Sequence, residues 1–266
     1  MIRWCSYCQQ YMGEAKPFDD FSMSHGICAQ CSSKLVAEED AMIDTGKTLK
    51  GYYENLREAC FRGNWSKAKE LVLEAQKINI SPVDLCIGMI QPYLYEVGCL
   101  WEKAKASVAD EHKLTSTCGS VLEMFFDMYP QLHHLRQSDK PQFLLVNAED
   151  NYHILGIRML EFILMLYQIP THTVFPGLPA REVFKLIQEL KPPNVGISVS
   201  LGIQMKSVHE LLELVKNLEP ALKPQMYVGG QSIRLSLNTH INAEAKIIYN
   251  VKEFLIEAGI VPERKI

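Results

Sequence analysis

The hydrophobic positions of this 266-residue chain change rhythm along its length. From about residue 48 to 129 apolar side chains recur at helical spacing, and no alternation persists for more than a few residues. The pattern predicts a first helix over 51–62 and a second from Trp65 to about Gln76, capped by Asn64. Ser81-Pro82, an N-cap followed by proline at N1, opens a third helix running toward Gly98 or Trp101. Ser107-Val108-Ala109-Asp110 has capping-box spacing, so a fourth helix begins there and runs to about Tyr129. Four amphipathic helices of this length cannot hide their apolar stripes alone, which predicts a four-helix bundle over 48–129.

After Pro141 the rhythm differs. Short β-rich runs at 143–146, 171–175, 195–200, 226–229 and 246–249 alternate with helical stretches near 154–168, 179–190, 204–217 and 251–259. This alternation implies right-handed crossovers and a parallel sheet over 142–266. Between the two patterns, residues 130–141 hold His133-His134 and Ser138-Asp139-Lys140 and read as a polar linker. Residues 1–34 have little apolar periodicity.

Composition adds constraints. With 47% hydrophobic and 22% charged residues the chain is an ordinary globular protein. Its net charge of −4 argues against a general polyanion-binding surface. No uncharged apolar run reaches the roughly 18–20 residues of a membrane span, and the start of the chain has no signal-like apolar region. The expected setting is the cytoplasm. The eight cysteines fit a reducing compartment: Cys60, Cys86, Cys99 and Cys118 fall singly in helical patterns, as buried free cysteines do. The other four form Cys5-x2-Cys8 and Cys28-x2-Cys31, nineteen residues apart. This is the spacing of a four-cysteine zinc site, preferred here over disulfides or an iron–sulfur cluster, and so small a segment needs such a staple. The stretch between the pairs carries Lys16 against Glu14, Asp19 and Asp20, which favours protein over nucleic acid as its partner. His25 reads as a turn residue rather than a further ligand.

Ligands of open parallel sheets sit beyond the carboxyl ends of the strands. The loops there hold Asn151-Tyr152-His153-Ile154-Leu155-Gly156, then Ser198-Val199-Ser200, then Gly229-Gly230. A histidine before the first helix can point its imidazole off the sheet edge, and Gly156 lets something bulky lie on the helix. Ser198 can donate or accept, and the paired glycines leave a slot free of side chains. Singly these features are commonplace; together they describe a deep slot with a metal-reaching histidine at its mouth.

The order HxxG, SxS, GG resembles the cobalamin-binding Rossmann-like domain shared by methionine synthase, corrinoid carrier proteins and cobalamin photoreceptors. The resemblance implies a Rossmann-like (flavodoxin-like) sheet domain in which His153 ligates cobalt. It also implies that Gly156, Ser198, Ser200, Gly229 and Gly230 line the tunnel for the nucleotide tail. The family's acid two residues before the histidine is Asn151 here; an amide can accept from the imidazole N–H but cannot strengthen the ligand as a carboxylate does.

The helical segment resembles the four-helix cap preceding that domain. Trp101, then Val108, then Glu111-His112 at Wx9EH spacing are similar to the light-responsive adenosylcobalamin regulators of carotenoid genes. That resemblance implies that these four residues shape the pocket over the upper cobalt face. Read alone, Trp101 is bundle core and Glu111-His112 decorates a first helical turn. Some light-sensing relatives place a histidine after the tryptophan; here it is Glu102. No segment resembles their DNA-binding helix-turn-helix.

The combined expectation is a multidomain α and α/β protein: a zinc-bound segment (1–34), a helical cap (48–129), a linker (130–141) and a cobalamin-binding domain (142–266). Its expected role is a cobalamin sensor, in particular a photoreceptor using adenosylcobalamin. The alternatives are a corrinoid carrier in methyl transfer and a cobalamin sensor without photochemistry. No turnover is expected. The implied partners are cobalamin, a protein that receives the signal and, as a homo-oligomer, a second copy of the chain. Neither a membrane nor directly bound nucleic acid is implied.

Overall fold

The computed structural model describes residues 1–33, 39–235 and 244–261, with the side chains of 39–47 and Gln76 excepted. Residue 34 and residues 262–266, which close two of the expected segments, lie outside the described residues. The chain forms two compact units, Met1–Phe125 and Phe126–Lys265.

The first unit opens with three short strands, β1 (Ile2–Cys5), β2 (Tyr11–Glu14) and β3 (Met23–Gly26), in the order β2-β1-β3. β1 pairs antiparallel with β2 and parallel with β3. A single helical turn, α1 (Ala29–Ser32), carries Cys31. Then come α2 (Glu39–Phe61), α3 (Trp65–Ala75), α4 (Pro82–Leu85), a π-helical turn (Cys86–Ile90), α5 (Gln91–Glu102) and α6 (Val108–Met128). The predicted first helix, 51–62, is thus the second half of a longer one. Its N-terminal part, rich in Asp, Glu, Thr and Gly, has no strong apolar stripe to betray it.

The predicted caps are present. Asn64 Oδ1 accepts from the Lys67 N–H at 3.1 Å, and Ser107 and Asp110 cap each other reciprocally. Ser81 Oγ accepts from the Asp84 N–H at 3.0 Å and donates to the Asp84 carboxylate at 2.7 Å. Ser81→Ala removes both bonds, so a loss of about 1 kcal/mol is expected in a denaturant titration of the full chain. The helices are pinned by two buried hydrogen bonds, Tyr52 Oη to the Leu71 carbonyl (2.7 Å) and Tyr93 Oη to the Tyr53 carbonyl (2.8 Å), and by a partly buried, two-pronged pair of Arg57 with Glu96.

The cysteine-bearing lobe is more apolar than its sequence suggests. Ile2, Trp4, Cys5 and Tyr11 are buried. Trp4 and Tyr11 meet edge-to-face at 5.8 Å between ring centres and pack onto Gly88 in the π-helical turn. Tyr53 Oη bonds the Phe21 carbonyl at 3.2 Å. The lobe therefore shares a core with the helices.

The second unit contains β4 (Phe143–Asn147), α7 (Ile154–Leu166), β5 (Thr171–Val174), α8 (Ala180–Leu190), β6 (Asn194–Ser198), α9 (Met205–Lys216), β7 (Gln225–Gly229), α10 (Gln231–Arg234), β8 (Ala245–Ile248) and α11 (Val251–Glu257). All strand pairs are parallel, in the order β5-β4-β6-β7-β8. Side chains alternate across the sheet. Leu144, Val146, Val195, Ile197, Met226 and Val228 pack with α8 and α9, while Phe143 and Tyr227 meet Phe254 of α11 on the other face.

The stretch expected to be a polar linker is a packed part of this unit. Residues Pro130–Leu135 form a 3-10 helix with Leu132 and Leu135 buried. Arg136 lies 4.3 Å from the Phe126 ring centre and pairs with the fully buried Glu161. The polar letters conceal this because the two leucines are spaced for a 3-10 turn and the arginine's partner lies 25 residues away. Among the described residues no helix is long and apolar enough to cross a membrane.

Candidate corrinoid site and four-cysteine cluster

In a sheet ordered 2-1-3-4-5, the chain leaves the first strand toward opposite edges, and a crevice opens between the carboxyl ends of the first and third strands. Those are β4 and β6. Asn147, the last residue of the apolar run of β4, pairs in register with Ser198 of β6. Both ends feed loops that close hydrogen bonds on each other. The Ala148 N–H donates to the Ser198 carbonyl (3.0 Å), as does Asn151 Nδ2 (2.9 Å). Asn147 Nδ2 holds the Asn151 carbonyl at 3.0 Å, and Gln204 Nε2 holds that of Asp150 at 3.1 Å. Gln204 Oε1 accepts from the N–H groups of Ser200 and Leu201 at 2.9 and 3.0 Å.

His153 sits at the N-cap of α7, with its ring exposed. Asn151 is fully buried, and its Oδ1 accepts from the backbone N–H of His153 at 3.1 Å rather than from the imidazole expected above. The amide thus fixes the loop beneath the histidine. At Gly156, one turn on, an added Cβ would meet nothing within 4 Å, so the helix offers bare backbone there.

The glycine pair lies against neighbouring backbone. Gly230 has φ +116°, and a Cβ there would lie 2.3 Å from the Val199 carbonyl oxygen; one at Gly229 would lie 3.1 Å from the Ile248 carbonyl oxygen. A side chain at either position would collide with neighbouring backbone, although both glycines are themselves partly exposed. Ser198 and Ser200 contribute a backbone carbonyl and a backbone N–H to the loop network. Around these strand ends Tyr152 (71% exposed), Leu201, Ile203 (84%), Leu235 and Tyr249 present apolar surface.

Sequence reading did not single out Asn147, Gln204 or Gly177. A Cβ on Gly177 would lie 1.8 Å from the Ala148 carbonyl oxygen, and its N–H bonds the Asn151 carbonyl at 3.2 Å. The one available signal was an asparagine closing the apolar run Phe-Leu-Leu-Val.

In the first unit Trp101 ends α5 half-exposed (53%), not in the bundle core, and Val108 is also exposed. Glu111 accepts from Thr115 Oγ1 at 2.6 Å and lies 3.5 Å from His112, whose ring is exposed.

The sulfurs of Cys5, Cys8, Cys28 and Cys31 all lie within 4.8 Å of one another. A tetrahedral zinc site with Zn–S bonds of about 2.3 Å has S–S edges of about 3.8 Å, and Cys8 and Cys28 sulfurs are 3.8 Å apart. Burial is the largest influence on Cys5 and opposes ionisation. Backbone N–H groups of Cys8, Cys28 and Tyr7 outweigh it together and bring the thiol down to about 7. Burial and the Cys28 thiol push Cys31 up to about 11, and burial raises Cys8 well above the ordinary thiol range. A first thiolate forms readily at Cys5 while Cys8 and Cys31 resist, which is the state a bound cation relieves. The donor set therefore fits a metal ion. Of the four single cysteines, Cys60, Cys86 and Cys118 are buried, while Cys99 is partly exposed.

Residues 52–125 match a family model described as a B12 binding domain. Among solved structures, the Methanosarcina barkeri monomethylamine corrinoid protein is similar at 16% identity and a TM-score of 0.63, over 80% of this chain and 99% of that one. A cobalamin-binding protein from Desulfitobacterium hafniense aligns at 15% identity over 79% and 98% of the two chains, with a TM-score of 0.41. The methanol:cobalamin methyltransferase complex of M. barkeri aligns at 13% identity over 89% and 86%, with a TM-score of 0.36. The first of these shows a shared fold, a helical domain joined to a Rossmann-like parallel sheet. No curated protein matched the chain.

Proposed function

We propose that the protein is a corrinoid carrier that holds the cofactor for methyl transfer and leaves catalysis to a partner methyltransferase. The observation that carries this is the exposed His153 at the N-cap of α7, on the loop after β4, whose backbone is held by Asn147, Asn151 and Gln204. The B12-binding match over residues 52–125 and the fold shared with a monomethylamine corrinoid protein support it. When bound, a corrinoid supplies a cobalt centre that accepts and gives up a methyl group. His153 would be the protein's ligand to it, and Asn151 would set the ring's position through the backbone. Gly156 leaves room for the cofactor against α7, and the exposed Tyr152, Leu201 and Ile203 are apolar surface that bound cofactor would cover. The strand-end glycines act by fixing the loops. In the same reading Cys5, Cys8, Cys28 and Cys31 hold zinc.

The exposure of Trp101 favours a second reading, a photoreceptor, since an indole outside the bundle core is free to shield an upper ligand. Glu111 and His112 would then make polar contacts with an adenosyl group. One experiment separates the two. Full-length protein is loaded in darkness with methylcobalamin or adenosylcobalamin, and visible spectra are taken before and after anaerobic green light. A carrier binds methylcobalamin at least as tightly and passes its methyl group to a thiol acceptor when a methyltransferase is supplied. A photoreceptor prefers adenosylcobalamin, and light alters it to a stable protein-bound product. Absence of binding to either form overturns both readings.

A further inference from the structure

We propose that metal occupancy of the four-cysteine lobe controls the packing of the B12-binding helices, through Trp4 and Tyr11 seated on the π-helical turn at Gly88. The inference rests on the metal reading given above. Trp4 precedes Cys5 on β1 and is fully buried; Tyr11 follows Cys8 by three residues. The knuckle that brings the two thiols together therefore also fixes where these rings lie. Both rings press on Gly88: a Cβ there would lie 2.4 Å from the Trp4 ring and 2.9 Å from that of Tyr11. The Tyr11 N–H also donates to Asp84 Oδ1 at 3.1 Å, and Asp84 is the residue that Ser81 caps at the start of α4. The lobe thus grips one stretch of helix at its cap and at its π-helical turn.

A π-helical turn carries an extra residue relative to the α-helix on either side, and such turns are held by local packing. Here the packing comes from two rings whose positions depend on four crowded sulfurs. Without a cation nothing bridges those sulfurs, and the knuckles lose the bonds that close them. Trp4 then leaves Gly88, and the segment from Pro82 to Glu102 loosens. That segment lies inside the stretch matching the B12-binding domain, so the metal acts on the helices assigned to the cofactor.

The test is hydrogen–deuterium exchange of the full chain loaded with zinc, after chelation, and after zinc is restored, with bound zinc measured in parallel. Chelation is expected to speed exchange across residues 82–102 by about tenfold or more, zinc to reverse this, and β4, β6 and β7 to stay unchanged. Cys8→Ser should bind no zinc and match the chelated protein. Gly88→Ala should keep its zinc yet exchange rapidly over 82–102 with or without it, since the seat is blocked while the thiols are intact. Should either variant fail to fold, the reversible chelation of the wild-type chain decides. A chain that binds zinc but shows the same exchange after chelation overturns the coupling. A chain that takes up no zinc overturns the metal reading beneath it.

Discussion

His153→Ala is expected to convert bound hydroxocobalamin from a histidine-ligated to a base-off visible spectrum and to weaken its binding by roughly 100-fold or more, given that loss of residues merely supporting a metal ligand costs about 10–100-fold. The fold should survive. The ring is exposed, and the residue's structural contact, its backbone N–H to Asn151 Oδ1, does not depend on the side chain. Exposed substitutions of this kind usually change stability by no more than about 0.5 kcal/mol, so the thermal midpoint of the cofactor-free protein should match that of the wild type. The two measurements together discriminate: an altered spectrum with an unaltered melt assigns a ligand. A wild-type spectrum in the variant removes His153 from the axial position, and with it the reading of the crevice as a corrinoid site. Asn151→Ala makes the opposite pattern. It removes two partly buried hydrogen bonds that hold the loop, so stability and binding should fall together, by roughly 1–3 kcal/mol for the former.

Much of this arrangement was legible in the residues because local chemistry decides it. Ser81-Pro82 and Ser107-x-x-Asp110 announce helix starts through hydrogen bonds made within four residues. The five short β-rich runs fall on the five parallel strands: β4, buried on both faces, is an almost unbroken apolar run, while the half-buried edge strands β5 and β8 are marked by β-branched Thr, Val and Ile. What stayed hidden depends on partners distant in sequence. Leu132, Leu135 and Arg136 look like linker until Glu161 and Phe126 are beside them. Trp4 and Tyr11 look like stray aromatics until Gly88 receives them. Gln204 gives no sign of tying the β4 and β6 loops together, since nothing in its neighbours reveals the carbonyl of Asp150. In the loops singled out from residue types, the tasks were redistributed. Asn151 serves backbone rather than ring, and a side chain on Gly229 or Gly230 would meet neighbouring backbone.

That redistribution predicts opposite outcomes for two glycines of the same crevice. Gly230→Ala must place a Cβ 2.3 Å from the Val199 carbonyl oxygen and 2.8 Å from its nitrogen, at φ +116°. Neither atom can yield: the Val199 N–H is bonded to the Gly229 carbonyl at 2.8 Å, and its carbonyl accepts from the Ser232 N–H at 3.2 Å. The backbone conformation costs a non-glycine residue about 1–3 kcal/mol and the overlap a further 1–3 kcal/mol. A loss of about 2–6 kcal/mol should lower the midpoint of the sheet unit's melt by on the order of 10 °C. Gly156→Ala meets nothing within 4 Å and lies inside the first turn of α7, so it should leave stability unchanged or raise it by up to about 1 kcal/mol. Its cost should appear only when hydroxocobalamin is titrated in, because the added methyl group stands on the surface the cofactor is proposed to cover. If both variants destabilise alike, the distinction between a structural glycine and a ligand-facing one fails. If Gly156→Ala binds the cofactor as the wild type does, α7 is not the face against which it lies.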